Sequence, residues 1–266
     1  MKLERRIALK NTKKALYNVH ILGDKNAPKI LLVHGAGFYW ETCFEPFIKE
    51  FKDNYCLIIP ELAGHGKEDS SYMKSISDTA QLISNELLEI DINHIDVAYG
   101  ISLGASVLCE IGLQKKIKID KMILDSGQYV SMGEMTEQYS NFMADAFIAL
   151  EQGNHFGSPV KESMGYENNE DVRALKPLLG EDISRETLVN TFRAVYNYDV
   201  RNTSEKLDSS VIIMYGTNEI YAPQSTPIIT SICIDSPIEV SIADCGHAQA
   251  LSEKPQEIIN VVKNCL

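Results

Sequence analysis

Ile95-Asp96-Val97-Ala98-Tyr99-Gly100-Ile101-Ser102-Leu103-Gly104-Ala105-Ser106-Val107-Leu108-Cys109-Glu110 is the stretch around which the rest of the chain falls into order. Its first five residues read as a buried strand and its last six as the start of a helix. Between them, Gly100-Ile101-Ser102-Leu103-Gly104 is a G-x-S-x-G pattern at a strand-to-helix junction, which makes it a candidate nucleophile elbow. A serine hydroxyl is a poor nucleophile at its free pKa. A sharp turn lifts it out of the backbone toward a base and a substrate. The flanking glycines have a steric reason: the turn is strained, and side chains at 100 and 104 would collide as strand and helix approach.

Working outward, further short apolar runs are spaced as strands. They are Ile30-Leu31-Leu32-Val33, Tyr55 to Ile59, Met122-Ile123-Leu124, Val211 to Tyr215 and Ile238 to Ile242. Continuous apolar runs of this length read as strands buried on both faces, hence parallel pairing. Between them lie helical patterns: Ile76 to Ile90 with apolar residues at helical spacing, Ser102 to Lys116, and Glu253 to Val262 with Pro255 in its first turn. Alternating strands and helices predict an α/β fold with a mostly parallel sheet. Arg5 to Leu9 and Ala15 to Leu22 read as an antiparallel hairpin at one edge.

One stretch breaks the rhythm. From about Gln128 to Lys206 no buried strand is legible, only helix-like pieces at Glu134 to Glu151, Glu170 to Leu179 and Ser184 to Tyr198. The division expected is a core of residues 1–127 and 207–266 with a helical cap at 128–206, over the strand ends where such sheets bind ligands. Phe142 and Phe147, with Met143, either line an acyl pocket or pack the cap onto the core.

Composition narrows the function. The 266 residues are 44% hydrophobic and 23% charged, which suits one large globular core. A formal net charge of −12 argues against general nucleic-acid binding and gives no reason to expect adhesion to anionic lipid. The six cysteines form no C-x-x-C, so no zinc or thioredoxin-like site is indicated. The first residues lead into no long apolar segment, and no run approaches the ~18 apolar residues that span a bilayer. A cytoplasmic protein, monomeric or homodimeric, acting on a small molecule without metal or cofactor is the expectation.

The order of the pieces resembles the α/β-hydrolase family over most of the chain. Four motifs carry the resemblance, each after a strand: His34-Gly35-Ala36-Gly37, Glu61-Leu62-Ala63-Gly64-His65-Gly66, the elbow at Ser102, and Gly246-His247. The resemblance implies a Ser…acid…His order, with Ser102 as nucleophile and His247 as base. His34 and His65 are expected to shape loops. The acid is expected three residues beyond Gly216, at Glu219, where aspartate is commoner in the family; Asp125 is the alternative acid. An attacked carbonyl needs an oxyanion hole, expected from the backbone N–H groups of Leu103 and Ala36, with Gly37 as second choice. Phe38, Tyr39 and Trp40 beside that loop either wall a pocket for an apolar group or anchor the next helix.

The function these residues imply is a carboxylesterase-like serine hydrolase of small or medium acyl esters, working through an acyl-enzyme. Alternatives are another chemistry of the same scaffold (C–C hydrolysis, thioester hydrolysis, lyase or acyl transfer) or a ligand-binding receptor with little turnover.

Overall fold

The computed structural model describes residues 18–66 and 71–266. In chain order it runs β1 (Asn18–Leu22), β2 (Lys29–Val33), α1 (Trp40–Phe51), β3 (Cys56–Glu61), α2 (Ile76–Glu89), β4 (His94–Ile101), α3 (Leu103–Gln114) and β5 (Lys118–Asp125). Four helices follow: α4 (Thr136–Glu151), α5 (Ser158–Ser163), α6 (Glu170–Leu175) and α7 (Arg185–Asn197). The chain then returns through β6 (Ser210–Gly216), α8 (Thr226–Ile232), β7 (Ile238–Ile242), α9 (Gln249–Glu253) and α10 (Pro255–Cys265).

The strands form one seven-stranded sheet in the order β1-β3-β2-β4-β5-β6-β7. Every pairing is parallel except β1 with β3, the α/β architecture expected from the sequence. Burial explains the pairing: Ile30 to Val33, Leu57 to Ile59 and Ala98 to Tyr99 are wholly shielded, as strands covered by helices on both faces must be. Only β1 of the hairpin expected near the N-terminus lies among the described residues; its first strand lies outside them.

Helix α2 has its apolar residues where the periodicity put them. Ile76, Ala80, Ile83 and Leu87 are buried, and Ser75 caps the helix by accepting from the Asp78 N–H at 3.0 Å. Strand β5 is longer than its apolar core, because Lys118 and Lys121 pair with His94 and Val97 of β4 at the wetter end of the sheet. Helix α1 follows the Phe38-Tyr39-Trp40 run, where the sequence allows for a helix, and it carries Pro46. Helices α5 and α8 are not marked in the sequence pattern; α8 is short, with a Thr-Pro start and three β-branched isoleucines.

Chain order places the β2–β4 boundary at the switch point of the sheet. The connection from β2 goes one way to β3, and that from β3 returns past β2 to β4. Val33 pairs with Gly100, so the loops leaving β2 and β4 emerge side by side. Asp125 pairs with Met214 and Gly216 with Ile242, which brings the loops after β5, β6 and β7 to the same edge. Four helices lie between β5 and β6 in the chain. Among them α4 packs on α7 through Phe147 and Phe192, whose rings meet edge-on at 5.1 Å.

Candidate active site

Ser102 sits between β4 and α3 with φ 55° and ψ −117°, a conformation costly for a residue with a side chain. The strain is tolerated because the backbone on either side is fixed. The Ser102 N–H donates to the Asp125 carbonyl at 2.8 Å, and the Ser102 carbonyl accepts from Ala105 and Ser106 in the first turn of α3. A Cβ at Gly100 would run into the Gly104 carbonyl, and one at Gly104 into the carbonyl of Val33. The two glycines therefore let α3 rise directly against β2 and β4.

The Ser102 hydroxyl lies 3.0 Å from Nε2 of His247. His247 comes from the loop between β7 and α9, where its N–H donates to the Met164 carbonyl at 2.8 Å and its carbonyl accepts from the Tyr166 hydroxyl. Its Nδ1 lies 2.9 Å from Oε2 of Glu219. The other Glu219 oxygen accepts from the Gly216 N–H at 2.9 Å and from the Ser126 hydroxyl at 2.6 Å. With Nδ1–H given to the carboxylate, Nε2 is left with the lone pair that faces Ser102. Burial pulls the His247 pKa down, but the Glu219 hydrogen bond and charge outweigh it and leave it above the usual 6.5.

Asp125, the alternative acid, does not reach His247. Its carboxyl group meets the Tyr99 hydroxyl at 2.7 Å and the Ser126 hydroxyl at 2.9 Å instead. Asp125 is the last residue of β5, whereas Glu219 lies three residues beyond Gly216, the last residue of β6, and it is Glu219 that meets the imidazole.

Two histidines clamp the oxyanion-loop region. His34 Nε2 accepts from the Leu62 N–H at 3.2 Å, and His65 Nε2 accepts from the Gly37 N–H at 3.0 Å. Each Nδ1 lies 2.9 Å from a carbonyl, Gly35 and Ala63 respectively, so both rings are neutral Nδ1–H tautomers. Burial pushes the His34 pKa down to about 3, in keeping with a neutral ring. This pattern corrects one expectation: the Gly37 N–H is committed to His65 and is not free for an oxyanion. Among the described residues, the N–H groups of Ala36 and Leu103 have no acceptor in the protein. Leu103 is the first residue of α3, where unpaired N–H groups are inherent.

A cavity of about 790 Å³ opens above Ser102 and His247. Phe38, Phe142 and Phe147 line it, joined by Met143, Phe192 and Tyr196 from α4 and α7. Trp40 does not: α1 begins at this residue and turns the indole toward β1, where it stacks on His20 at 3.9 Å. Of the two readings of that aromatic run, Trp40 follows the anchoring one and Phe38 the pocket one. Sequence reasoning missed Ser126, although Asp125-Ser126-Gly127 at a strand end marked the position. It also missed Tyr166, which nothing local distinguishes. A wider cleft, about 1770 Å³, is lined by residues such as Tyr39, Arg173 and Glu253 and holds none of Ser102, His247 and Glu219.

No helix among the described residues is long and apolar enough to cross a membrane. All six cysteines are free thiols. Among the described residues, one candidate metal-ligand cluster, His94, Asp96 and Asp120, lies at the opposite end of β4 and β5.

The alpha/beta hydrolase family profile matches residues 30–261. The chain is similar to the structure of an alpha/beta hydrolase family protein from Desulfitobacterium hafniense, with 44% identity and a TM-score of 0.91 over 92% of this chain and 98% of that one. It also shares its fold with a hydrolase from Pseudomonas aeruginosa, at 16% identity and a TM-score of 0.73 over 97% of each chain. The enol-lactonase from Burkholderia xenovorans is 15% identical, with a TM-score of 0.75 over 94% of this chain and 95% of that one. No curated protein matches the chain. A mostly parallel sheet with its switch point at an elbow serine, a profile match across most of the sequence and a 44% identical relative agree: the chain belongs to the alpha/beta hydrolase family.

Proposed function

We propose that the protein is a serine hydrolase of carboxylic esters, with residues 128–206 acting as a cap over the acyl pocket. The observation that carries this reading is the continuous hydrogen-bonded line Ser102–His247–Glu219 at the floor of the cavity. Ser102 attacks the ester carbonyl while His247 Nε2 takes the hydroxyl proton. Glu219 holds the ring and stabilises the imidazolium. The N–H groups of Leu103 and Ala36 receive the carbonyl oxygen as it becomes negative. His247 then protonates the departing alcohol, giving an acyl-enzyme on Ser102. Water, deprotonated by the same nitrogen, releases the acid and restores the serine.

The cavity lining supports a neutral, apolar acyl group. Phe38, Phe142, Phe147, Phe192 and several methionines form its walls, and no lysine or arginine is among the lining residues. A substrate carrying its own carboxylate would find no counter-charge there, and Glu219 would repel it. Its size is within the usual range for small-molecule sites, so a medium acyl chain is accommodated.

Hydrolysis of p-nitrophenyl esters of increasing chain length, by the wild type and by Ser102→Ala, tests the reading. Activity with a clear chain-length optimum, lost in the variant, is expected. Full activity in the variant would remove Ser102 from the mechanism. Tight ligand binding with negligible turnover in the wild type would favour a receptor.

A further inference from the structure

Ser126 poses a problem of proton counting. Its single hydroxyl lies 2.6 Å from Glu219 Oε1 and 2.9 Å from Asp125 Oδ1. A hydroxyl has one proton to donate and an ionised carboxylate has none. If both acids were charged, one of these close oxygen pairs would hold no hydrogen at all. The pair is satisfied only if one carboxyl group carries a proton on the oxygen facing Ser126.

The surroundings choose which one. Glu219 is supplied with donors suited to an anion, the Gly216 N–H on one oxygen and the His247 ring on the other. Asp125 is shielded within the sheet edge and, Ser126 aside, meets one side-chain donor among the described residues, the Tyr99 hydroxyl on Oδ2. The groups facing it are Tyr99 on β4, Cys43 on α1, Tyr129, Glu219 and His247; only His247 can carry a positive charge, and it is already paired with Glu219.

We infer that Asp125 is a protonated carboxyl group that donates to Ser126, whose own hydroxyl proton is thereby directed at Glu219, so that Asp125 and Ser126 position the acid that holds His247. The line of donors then runs Asp125, Ser126, Glu219, with Tyr99 closing the far side of Asp125. The proton stays on Asp125 throughout turnover. Its role is to fix the Glu219 carboxylate by donation without placing a second negative charge beside it. Burial, together with the neighbouring Glu219 charge, raises the Asp125 pKa to about 7 against the hydrogen bonds of Tyr99 and Ser126, in keeping with a neutral acid. Ser126 is held for the task at φ 52°, with its N–H tied to the Met214 carbonyl at 2.9 Å.

This inference rests on the triad reading above, and its test separates the two. Asparagine at 125 reproduces the neutral acid, one oxygen to accept from Tyr99 and an N–H to donate to Ser126; alanine does not. With p-nitrophenyl esters, Asp125→Ala lowers kcat/KM by at least about 10-fold, and Asp125→Asn recovers it to within about threefold of wild type. The pH profile gives a readout that a merely structural role would not move. Ionisation of Asp125 removes the donor to Ser126, so wild-type kcat/KM falls on the alkaline side; Asp125→Asn has nothing to ionise and loses that fall. The infrared carbonyl band of a protonated carboxyl group, in the wild type minus Asp125→Asn difference at about pH 6, reports the proton without any substrate. Absence of the band, or an Asn variant that is folded yet as impaired as the Ala variant, would overturn the inference. If the wild type cleaves no ester, the hydrolase reading fails, and the infrared band then decides the proton by itself.

Discussion

Ser102 and Ser126 occupy equivalent places in the sheet. Each directly follows the last residue of a central parallel strand, β4 or β5, and the strands are in register, Ile101 opposite Asp125. Each has a left-handed φ, 55° and 52°. Each donates its N–H to a carbonyl of the next strand, Asp125 for one and Met214 for the other. The side chains nonetheless meet different chemistry. Ser102 faces an imidazole nitrogen able to take its proton, and a helix N-terminus follows it. Ser126 lies between the Asp125 and Glu219 carboxyl groups, with no imidazole nitrogen beside it to take its proton, and a loop through Gly127 follows it. Backbone conformation makes a serine available; its neighbours from other strands decide whether it attacks or bridges.

Removing the hydroxyl at each position sets the two serines furthest apart. Ser102→Ala should lower esterase kcat/KM by roughly 10⁶-fold, since members of such a triad act as a unit. A residual rate above that level, or labelling of the variant by a serine-directed fluorophosphonate, would show another nucleophile. Next comes Glu219→Gln, which keeps the shape but not the charge. A loss of roughly 10⁴-fold in kcat is expected, as for the equivalent change in other triads. The sign of its pH effect follows from His247. The base works when neutral, so a pKa held above 6.5 places the acid limb of kcat/KM above that value. Without the Glu219 charge the limb moves to lower pH, and an unmoved limb would mean that another group sets it.

Ser126→Ala is the sharper test of the comparison. The bridge is lost but the nucleophile, base and acid remain, so a fall of about 10- to 100-fold in kcat with KM little changed is expected. A loss matching Ser102→Ala would make the two serines functionally alike and undo the distinction. The smallest effect belongs to Trp40→Phe. The stack on His20 weakens, but an indole N–H with no partner is also removed, so stability should change by no more than about 1 kcal/mol. Thermal unfolding measures that change. A raised KM for any acyl chain length would return Trp40 to the pocket.

Much of the molecule is legible in its sequence. The apolar runs at Ile30 to Val33 and Tyr55 to Ile59 are strands because strands buried on both faces must be apolar throughout. The Gly100 and Gly104 spacing marked a close approach, and the structure puts carbonyl oxygens where their side chains would be. What escaped is instructive in each case. The polar end of β5 has no apolar signal, because the ends of sheets are wet. Gly37, the second choice of oxyanion donor after Ala36, has its N–H taken by a histidine 28 residues away in the chain. Trp40 looked like a neighbour of Phe38, but a helix that starts at position 40 points the two rings apart.

By itself, the sequence determined the α/β alternation, the elbow, and the residue types that meet at the sheet's edge. These follow from local rules, burial periodicity and the steric needs of a turn, which act over a few residues. Only the tertiary structure decided which acid faces His247, which N–H groups stay unpaired, and how Ser126 comes to lie between Asp125 and Glu219, 93 residues apart from the latter in the chain. Those outcomes depend on the register of β4 through β7 and on where their loops emerge. Hydrogen bonds over such separations are set by strand order rather than by any neighbouring residue.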